Sequence, residues 1–526
     1  VERLAVVPPE NLTGTTGLDW VAPALAHLVA WAPAGSPSLH AFVVTDTNEA
    51  FRRRASAILR GYVTGNGRHL KISAVLQDTT GAAMRTLTAS GSEVTGLAET
   101  LARQLSPQVR SLKTRNREAV ELYGRALLDA SSPDAQGLLH RAIQIDPTFA
   151  DARLLLSQLR RTAPEPTGAG DPIDAARIEL FSAQGERRLA AVERLAALLP
   201  ADAEAATYAS DLQLEARQFA KAAEWRRRAL RADPEFAQNW NLLAYAQSRA
   251  GDLNAAIQSI REYGRRVSGG NADDSLGEIY FMHGRFADAE SAFLTAYQKQ
   301  PGLLASATLR KAAEARRMTG DQREADLLFQ RFLDAHSRHP LRELFQAQWD
   351  YTSGREQAAL DRVEKLANAT NASTAWAQLA VWRRVRGVPA RQAAEKALRT
   401  AVSPQERLHA AVASFLVLPP APPEEWASRA KSFFGARADP RVPQAALAHA
   451  LLAGSYFAAA LPIVESLHRQ GSPLAANEWV VPLAWCLTET GKAVHAKPLL
   501  LLWPVPDSSA GNPFQVWSYP RVKLLR

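Results

Sequence analysis

The sequence predicts a mainly α protein: a right-handed α-solenoid of helix-turn-helix repeats, preceded by a small α/β domain. Three observations predict it. Apolar spacing is mixed up to about residue 112 and helical without a break beyond it. Prolines close amphipathic stretches at Pro147, Pro200, Pro234 and Pro301, with 34 residues from Pro200 to Pro234 and 67, almost two more such steps, from Pro234 to Pro301. The composition, 47% hydrophobic and 22% charged over 526 residues, supplies a large core and excludes a disordered or collagen-like chain.

The domain over 1–112 reads as alternating short strands and helices. Residues 4–7 form an apolar run ending at Pro8-Pro9 and the turn Asn11-Leu12-Thr13-Gly14, after which 18–31 has helical spacing. A second strand is expected over 40–44, with Thr45 or Thr47 capping a short helix that reaches about Ala57. A three-strand meander follows over 58–64, 70–77 and 84–89, turning at Gly65-Asn66-Gly67 and Asp78-Thr79-Thr80-Gly81. In its middle strand Leu70, Ile72, Ala74 and Leu76 alternate with Lys71, Ser73, Val75 and Gln77, one face buried and one largely wet. A helix over 93–112, started by Ser92 or Ser90 and packing through Leu97, Leu101 and Leu105, closes the unit.

The run Leu4-Ala5-Val6-Val7-Pro8-Pro9-Glu10-Asn11-Leu12-Thr13-Gly14, with Leu18-Asp19-Trp20 opening a helix, resembles the start of the TolB-type amino-terminal domain of many bacterial tetratricopeptide proteins. The later Gly61-Tyr62-Val63-Thr64-Gly65-Asn66-Gly67 and Leu76-Gln77-Asp78-Thr79-Thr80-Gly81 are similar to that domain's hairpin. The chain departs from the family at Pro9, where Phe is usual, and at Thr15, where an acidic residue is usual. The resemblance implies a fold and a bacterial envelope context, and it transfers no catalytic residue.

From 113 to 526 the repeat takes over. Gly251-Asp252-Leu253-Asn254-Ala255-Ala256 and Gly284-Arg285-Phe286-Ala287-Asp288-Ala289 are successive turn-plus-second-helix starts, and Gly320, Gly354, Gly387, Gly454 and Gly491 continue the series. Ala256, Ala289, Ala325 and Ala359 sit where paired helices must cross closely, with Trp240, Leu243, Ile260, Phe293 and Phe329 filling the space between helices. This pattern resembles the tetratricopeptide family over about four fifths of the chain. Its period is interrupted by a Pro/Gly-rich insertion near 162–172 and becomes irregular beyond about 390, where Pro419-Pro420-Ala421-Pro422-Pro423 falls.

Such repeats bury their apolar faces only by stacking, and the first helix of each pair then lines the concave wall. Projecting the period onto the chain places Asn241, Tyr245 and Arg249 on that wall from one repeat, Asp274, Glu278 and Phe281 from the next, and Arg310, Glu314 and Arg317 from a third. Mixed charge with aromatics suits an extended peptide or a partner helix. The Lys and Asn set of the chaperone-tail clamp is missing from the corresponding positions, which argues against that kind of receptor. Trp503, Phe514, Trp517 and Tyr519, in a Pro-rich tail, are expected to cap the last repeat.

Other chemistry is sparse. The net charge of +9 comes mainly from 51 arginines against 11 lysines. The runs Arg52-Arg53-Arg54, Arg226-Arg227-Arg228 and Arg383-Arg384 are far apart and read as solvated helix faces, with phosphate binding the lesser reading. One cysteine, Cys486, excludes a disulfide framework and a Cys-based zinc site, and its apolar surroundings make it a buried structural residue. There is no phosphate-binding Gly-x-x-x-x-Gly-Lys loop and no His-Glu-x-x-His, and His336 and His339 have no third ligand placed to join them. No apolar stretch is long enough to span a bilayer.

The expected function is a non-enzymatic protein–protein interaction scaffold, holding a protein or peptide partner in the concave groove, with no catalytic residue, no cofactor and no metal. The alternative is a regulatory or sensor module of a bacterial signalling or transcription system, with nucleic-acid association through the basic charge. The chain begins at Val1, which suggests a removed upstream segment such as a signal or lipid anchor. Periplasm or cell envelope is the expected compartment, and cytoplasm the alternative.

Overall fold

The structure, a computed structural model, describes every residue except 113, 115, 163, 165–170, 472, 473, 475–477, 504, 507–512 and 515–526. The chain forms two compact units, Val1–Ala246 and Gln247–Arg526.

The first unit opens with a six-stranded sheet: β1 (Glu2–Val6), β2 (Glu10–Asn11), β3 (Leu39–Val43), β4 (Ala57–Asn66), β5 (His69–Asp78) and β6 (Ala83–Gly91). Its order is β3-β1-β4-β5-β6, with β2 pairing β4. The strands joined by helical crossovers, β1 with β3 and β4, run parallel, whereas the meander β4-β5-β6 is antiparallel. Alternation along β1 sends Leu4 and Val6 into one core and Ala5 into another. On the first face lie α1 (Val21–Trp31) and, after α2 (Thr47–Arg52), α3 (Val94–Leu105). On the other, Phe42, Val44 and Ala50 pack with Ala5 and Ile58.

Helices α4 (Arg117–Leu128), α5 (Pro133–Ile145) and α6 (Ala150–Arg160) extend the first core without a break, because the cluster that starts at Leu4 takes in Leu112 and continues to Leu156. Gly124 of α4 crosses α1 so closely that a Cβ there would meet the Trp20 carbonyl oxygen at 2.4 Å. Then come α7 (Pro172–Ser182), α8 (Gly185–Leu198), α9 (Ala203–Glu215), α10 (Phe219–Ala232) and α11 (Ala237–Arg249). Pro147, Pro200 and Pro234 each follow a helix end by two residues, as their lack of an N–H and clash with the preceding turn require.

The second unit is built from serial helix pairs: α12 (Leu253–Gly264), α13 (Asn271–Met282) with α14 (Phe286–Lys299), α15 (Ala307–Met318) with α16 (Gln322–Ala335), α17 (Arg342–Thr352) with α18 (Glu356–Thr370), and α19 (Ser373–Val385) with α20 (Arg391–Thr400). The series continues through α21 (Pro404–Leu416) with α22 (Pro423–Phe434), α23 (Arg441–Ala453) with α24 (Phe457–Gln470), α25 (Val480–Glu489), the short α26 (Ala493–Ala496) and a 3-10 turn, Lys497–Leu502. This is the tetratricopeptide-like helix-pair arrangement that the spacing predicts. The crossing alanines Ala256, Ala289, Ala325 and Ala359 are fully buried, as are Phe293 and Phe329 beside them.

Several local expectations are corrected. The second helix is capped by Asp46, which accepts from the Glu49 amide, while Thr45 binds the Glu49 carboxylate. The third helix starts after an extended Glu93 with no side-chain cap and stops at Leu105 rather than Leu112, because Ser106 precedes Pro107 and takes an extended conformation. The prolines at 419–423 do not break the repeat. They form the turn between α21 and α22, with Pro423 at the first helical position. The insertion at 162–172 lies mostly outside the described residues.

The arginine runs are solvated faces only in part: Arg52 and Arg227 are exposed, whereas Arg53, Arg54, Arg226, Arg383 and Arg384 are engaged within the protein. Arg54 donates to Asp233 at 2.7 Å, and Arg53 pairs with Glu204 at 3.3 Å. Arg226 is fully buried, bonded to Asp211 and, at 2.7 Å, to Asn239. Arg383 pairs with Glu364 at 2.6 Å, and Arg384 donates to the Leu416 carbonyl at 2.8 Å.

Candidate functional site

The nine residues projected onto the concave wall are divided between the units. Asn241 and Tyr245 belong to the first unit, and the other seven to the second. Several are withdrawn from solvent: Asn241, Asp274, Phe281, Arg310 and Glu314 are buried, and Tyr245, Arg249, Glu278 and Arg317 are half-buried.

In the second unit five charges on this face, those of Asp274, Glu278, Lys311, Glu314 and Arg317, are answered within it. Lys311 of α15 reaches back to α13, placing Nζ 2.8 Å from Asp274 and 2.5 Å from Glu278. Burial pushes the Asp274 carboxyl up, and the Lys311 ammonium opposes that shift. Arg317 donates to the fully buried Glu314 at 2.6 and 2.9 Å and to the Thr352 carbonyl of α17 at 3.1 Å. Each pair spans one helical turn or one repeat, so the charges set the register between first helices.

Four described residues from the chain's own C-terminal part, Trp503, Pro506, Pro513 and Phe514, lie against this face. Trp503 packs on Phe281 of α13, with ring centroids 5.3 Å apart. Arg310 of α15 donates to the carbonyl oxygen of Pro506. Gln378 of α19, itself accepting from Gln348 of α17 at 3.1 Å, donates to the carbonyl oxygen of Pro513 at 3.1 Å. Phe514 meets His409 of α21 at 6.1 Å and stacks on His449 of α23 at 4.9 Å. His449 bonds Glu478 at 2.7 Å, and both are fully buried. Trp503, Val505 and Phe514 are all buried. The expectation that Trp503 caps the last repeat is therefore corrected: it lies on α13, near the start of this unit. Trp517 and Tyr519 lie outside the described residues.

Sequence reasoning missed Lys311, Gln378, His409 and His449. Lys311 follows Arg310 on the same helix and was available from the same projection. The other three lie on helices that the weakening period left unprojected, and only their place at first-helix positions could have pointed to them.

The first unit contains a cavity of about 290 Å³, lined among others by His27, Trp31, His40, Phe42, Arg53, Asp202 and Glu204. The ligand atoms of His40, Asp202 and Glu204 lie within 4.8 Å of one another, a grouping the sequence hid behind more than 150 intervening residues. Asp202 is occupied as the cap of α9, accepting from the Glu204 and Ala205 amides. Glu204 pairs with Arg3 and Arg53, so its charge is already answered. Cys486 is buried, and burial pushes its thiol up to about 12, which fits a packing role. His336 donates from Nδ1–H to the Phe332 carbonyl oxygen and packs among Phe332, Phe345 and His339, an aromatic cluster rather than a ligand set. Among the described residues, no helix is long and apolar enough to cross a membrane.

No protein-family model matches the chain, and no curated protein matches it. Among solved structures, it is similar in part to a crystal structure of MamA (16% identity, 34% of this chain and 95% of that chain, TM-score 0.23). It is similar likewise to Naa15/Naa10 bound to HypK-THB (14% identity, 76% and 64%, TM-score 0.28) and to the human IFIT1 dimer with PPP-AAAA (14% identity, 67% and 90%, TM-score 0.27). At such TM-scores the likeness carries no argument, and the fold rests on the chain's own helix packing.

Proposed function

We propose that this chain is a non-enzymatic protein-interaction scaffold in which the first-helix face of the second unit holds a protein segment. One observation supports this most: Trp503, Pro506, Pro513 and Phe514, from the C-terminal part of the chain, already lie against that face through aromatic contacts and side-chain bonds to main-chain carbonyls. A surface that satisfies one such segment has the chemistry to satisfy another. The seven projected wall residues of the second unit, Arg249, Asp274, Glu278, Phe281, Arg310, Glu314 and Arg317, keep their place in this reading, some as contacts and the paired charges as the frame that holds the helices in register. The finer reading, a bacterial envelope protein with a TolB-type amino-terminal domain, rests on the sequence resemblance. Nucleic-acid association draws no support from Arg53, Arg54, Arg226 and Arg383, which all face carboxylates.

The test is site-specific photo-cross-linking in cells. A photoreactive residue at Glu278 on α13 is expected to trap a protein partner that the same residue at Leu327, exposed on the second helix α16, does not trap. Identical adducts from both positions, or none from Glu278, would count against a first-helix binding face.

A further inference from the structure

The cavity of the first unit joins an apolar body to one polar end. Leu39, Phe42 and Leu199 are buried along it and Trp31 is half-buried, whereas His40, Asp202 and Glu204 close the polar end. At about 290 Å³ it stands just below the usual span of small-molecule sites, about 300–1,000 Å³, so it suits an occupant of modest size. The Glu204 side chain is half exposed, which gives the polar end a route to solvent.

Three acceptors meet at that end. Nε2 of His40 is buried and has no hydrogen-bond partner among the described residues. Burial lowers the His40 pKa, so the ring is neutral near pH 7 and keeps a lone pair on one nitrogen. Asp202 spends Oδ1 on the Glu204 and Ala205 amides, at 2.9 and 3.0 Å, which leaves its second oxygen over. The same cap closes the N-terminus of α9 to an anion. Glu204 is shared by Arg3 at 3.7 Å and Arg53 at 3.3 Å, and Arg53 is held further by the Val43 carbonyl at 3.2 Å and by the Phe42 ring. Both guanidiniums are thus turned to Glu204, and among the described residues no cation is in ion-pair contact with Asp202.

Spacing and charge choose among cations. One ligand atom from each of His40, Asp202 and Glu204 lies within 4.8 Å of the other two, and among the described residues no hydrogen bond closes the gap from His40 Nε2. Acceptors that share a tetrahedral nitrogen through hydrogen bonds of about 2.8 Å stand about 4.6 Å apart. Bonds of about 2.1 Å to zinc would draw them to about 3.4 Å, and Arg3 and Arg53 repel a divalent ion about twice as strongly as a single charge. A primary ammonium brings three N–H donors and one charge to three acceptors and one carboxylate without a cation.

We infer that this cavity is a binding site for a small primary amine with an aromatic or branched apolar body. The ammonium donates to His40, to the second oxygen of Asp202 and to Glu204, while the body lies against Trp31, Leu39, Phe42 and Leu199. The site is separate from the protein-binding face of the second unit and does not depend on it.

The experiment titrates the full chain at pH 7.5, by calorimetry, with three probes of similar shape: 2-phenylethylamine, 2-phenylethanol and 3-phenylpropanoate. The amine is expected to bind at least tenfold more tightly than the alcohol, and the carboxylate not to bind. Asp202→Asn keeps a side chain that caps helices and removes the charge, so it is expected to weaken the amine at least tenfold at an unchanged melting temperature. His40→Leu, which leaves the cap alone, is expected to weaken it likewise. On the unaltered chain the amine is expected to slow hydrogen exchange over 39–43 and 199–205. No amine binding, equal binding of amine and alcohol, or full affinity in both folded variants overturns the inference. Should neither variant fold, the unaltered chain decides: protection confined to other parts of the chain, or tighter binding of the carboxylate, overturns it.

Discussion

Gly277 on α13 faces the ring of Phe293 on α14 so closely that a Cβ there would lie 2.5 Å from two ring carbons. Phe293 is fully buried, so its ring has little room to retreat. Gly277→Ala is expected to destabilise the second unit by about 1–3 kcal/mol through overpacking. Urea unfolding of the variant checks it, and an unchanged midpoint would mean that the helix pair relaxes freely.

Arg226 is buried, and its guanidinium depends on Asp211 and Asn239. Burial lowers its pKa, and Asp211 opposes that shift. Asp211→Ala leaves the cation short of its carboxylate and is expected to cost about 1.5–3 kcal/mol. In Arg226→Met the same Asp211 change should cost much less, which a double-mutant cycle on unfolding free energies would measure.

Acid should destabilise the fold through its buried histidines. Burial lowers the pKa of His27, His40 and His409 below the ordinary histidine value; at His40 the carboxylates of Asp202 and Glu204 oppose that shift and Arg3 and Arg53 reinforce it. The unfolded chain then binds more protons than the folded one as pH falls through about 6.5, so stability is present above that pH and declines below it. Urea midpoints at pH 7.5 and 5.5 should show the drop, and His40→Gln should reduce it. A midpoint that rises on acidification would refute the sign.

Ser455 holds a left-handed conformation, φ 60°, in the turn between α23 and α24. The equivalent place after α13 is Gly284, φ 72°. Glycine has no Cβ penalty there, so Ser455→Gly is expected to stabilise by up to about 1 kcal/mol, seen as a raised melting temperature.

Cys486 should be inert to thiol reagents in the native chain, since burial holds its thiol up to about 12. Labelling with a disulfide-exchange reagent is expected only at denaturant concentrations that open the second unit. Rapid labelling of native protein would contradict this placement.

The helices were legible because their signals are local: a 3.6-residue period, alanines at crossings, and Pro or Gly at the ends. Even the short sheet showed its alternation in Leu70, Ile72, Ala74 and Leu76. Local errors came from competition between neighbours. Gly454 looks like the turn residue, but α23 runs on to Ala453, so Gly454 takes φ −91° as its cap and the positive φ falls on Ser455. What stayed hidden is pairing across distance. Nothing near Arg54 reveals Asp233, 179 positions later. Period and spacing likewise cannot tell that Trp503 returns to Phe281, because no repeat rule governs where a tail lies down.

In a stack of helix pairs each element ordinarily touches only its neighbours, so such arrays melt piecemeal and fray from their ends. A strap that touches α13, α15, α19, α21 and α23 couples pairs that otherwise share no boundary. Loss of any one anchor then weakens the hold on pairs far from it, and the second unit should melt as a single cooperative block. Lifting the strap would return it to a row of separately melting segments, so the width of the thermal transition would report whether the strap is down.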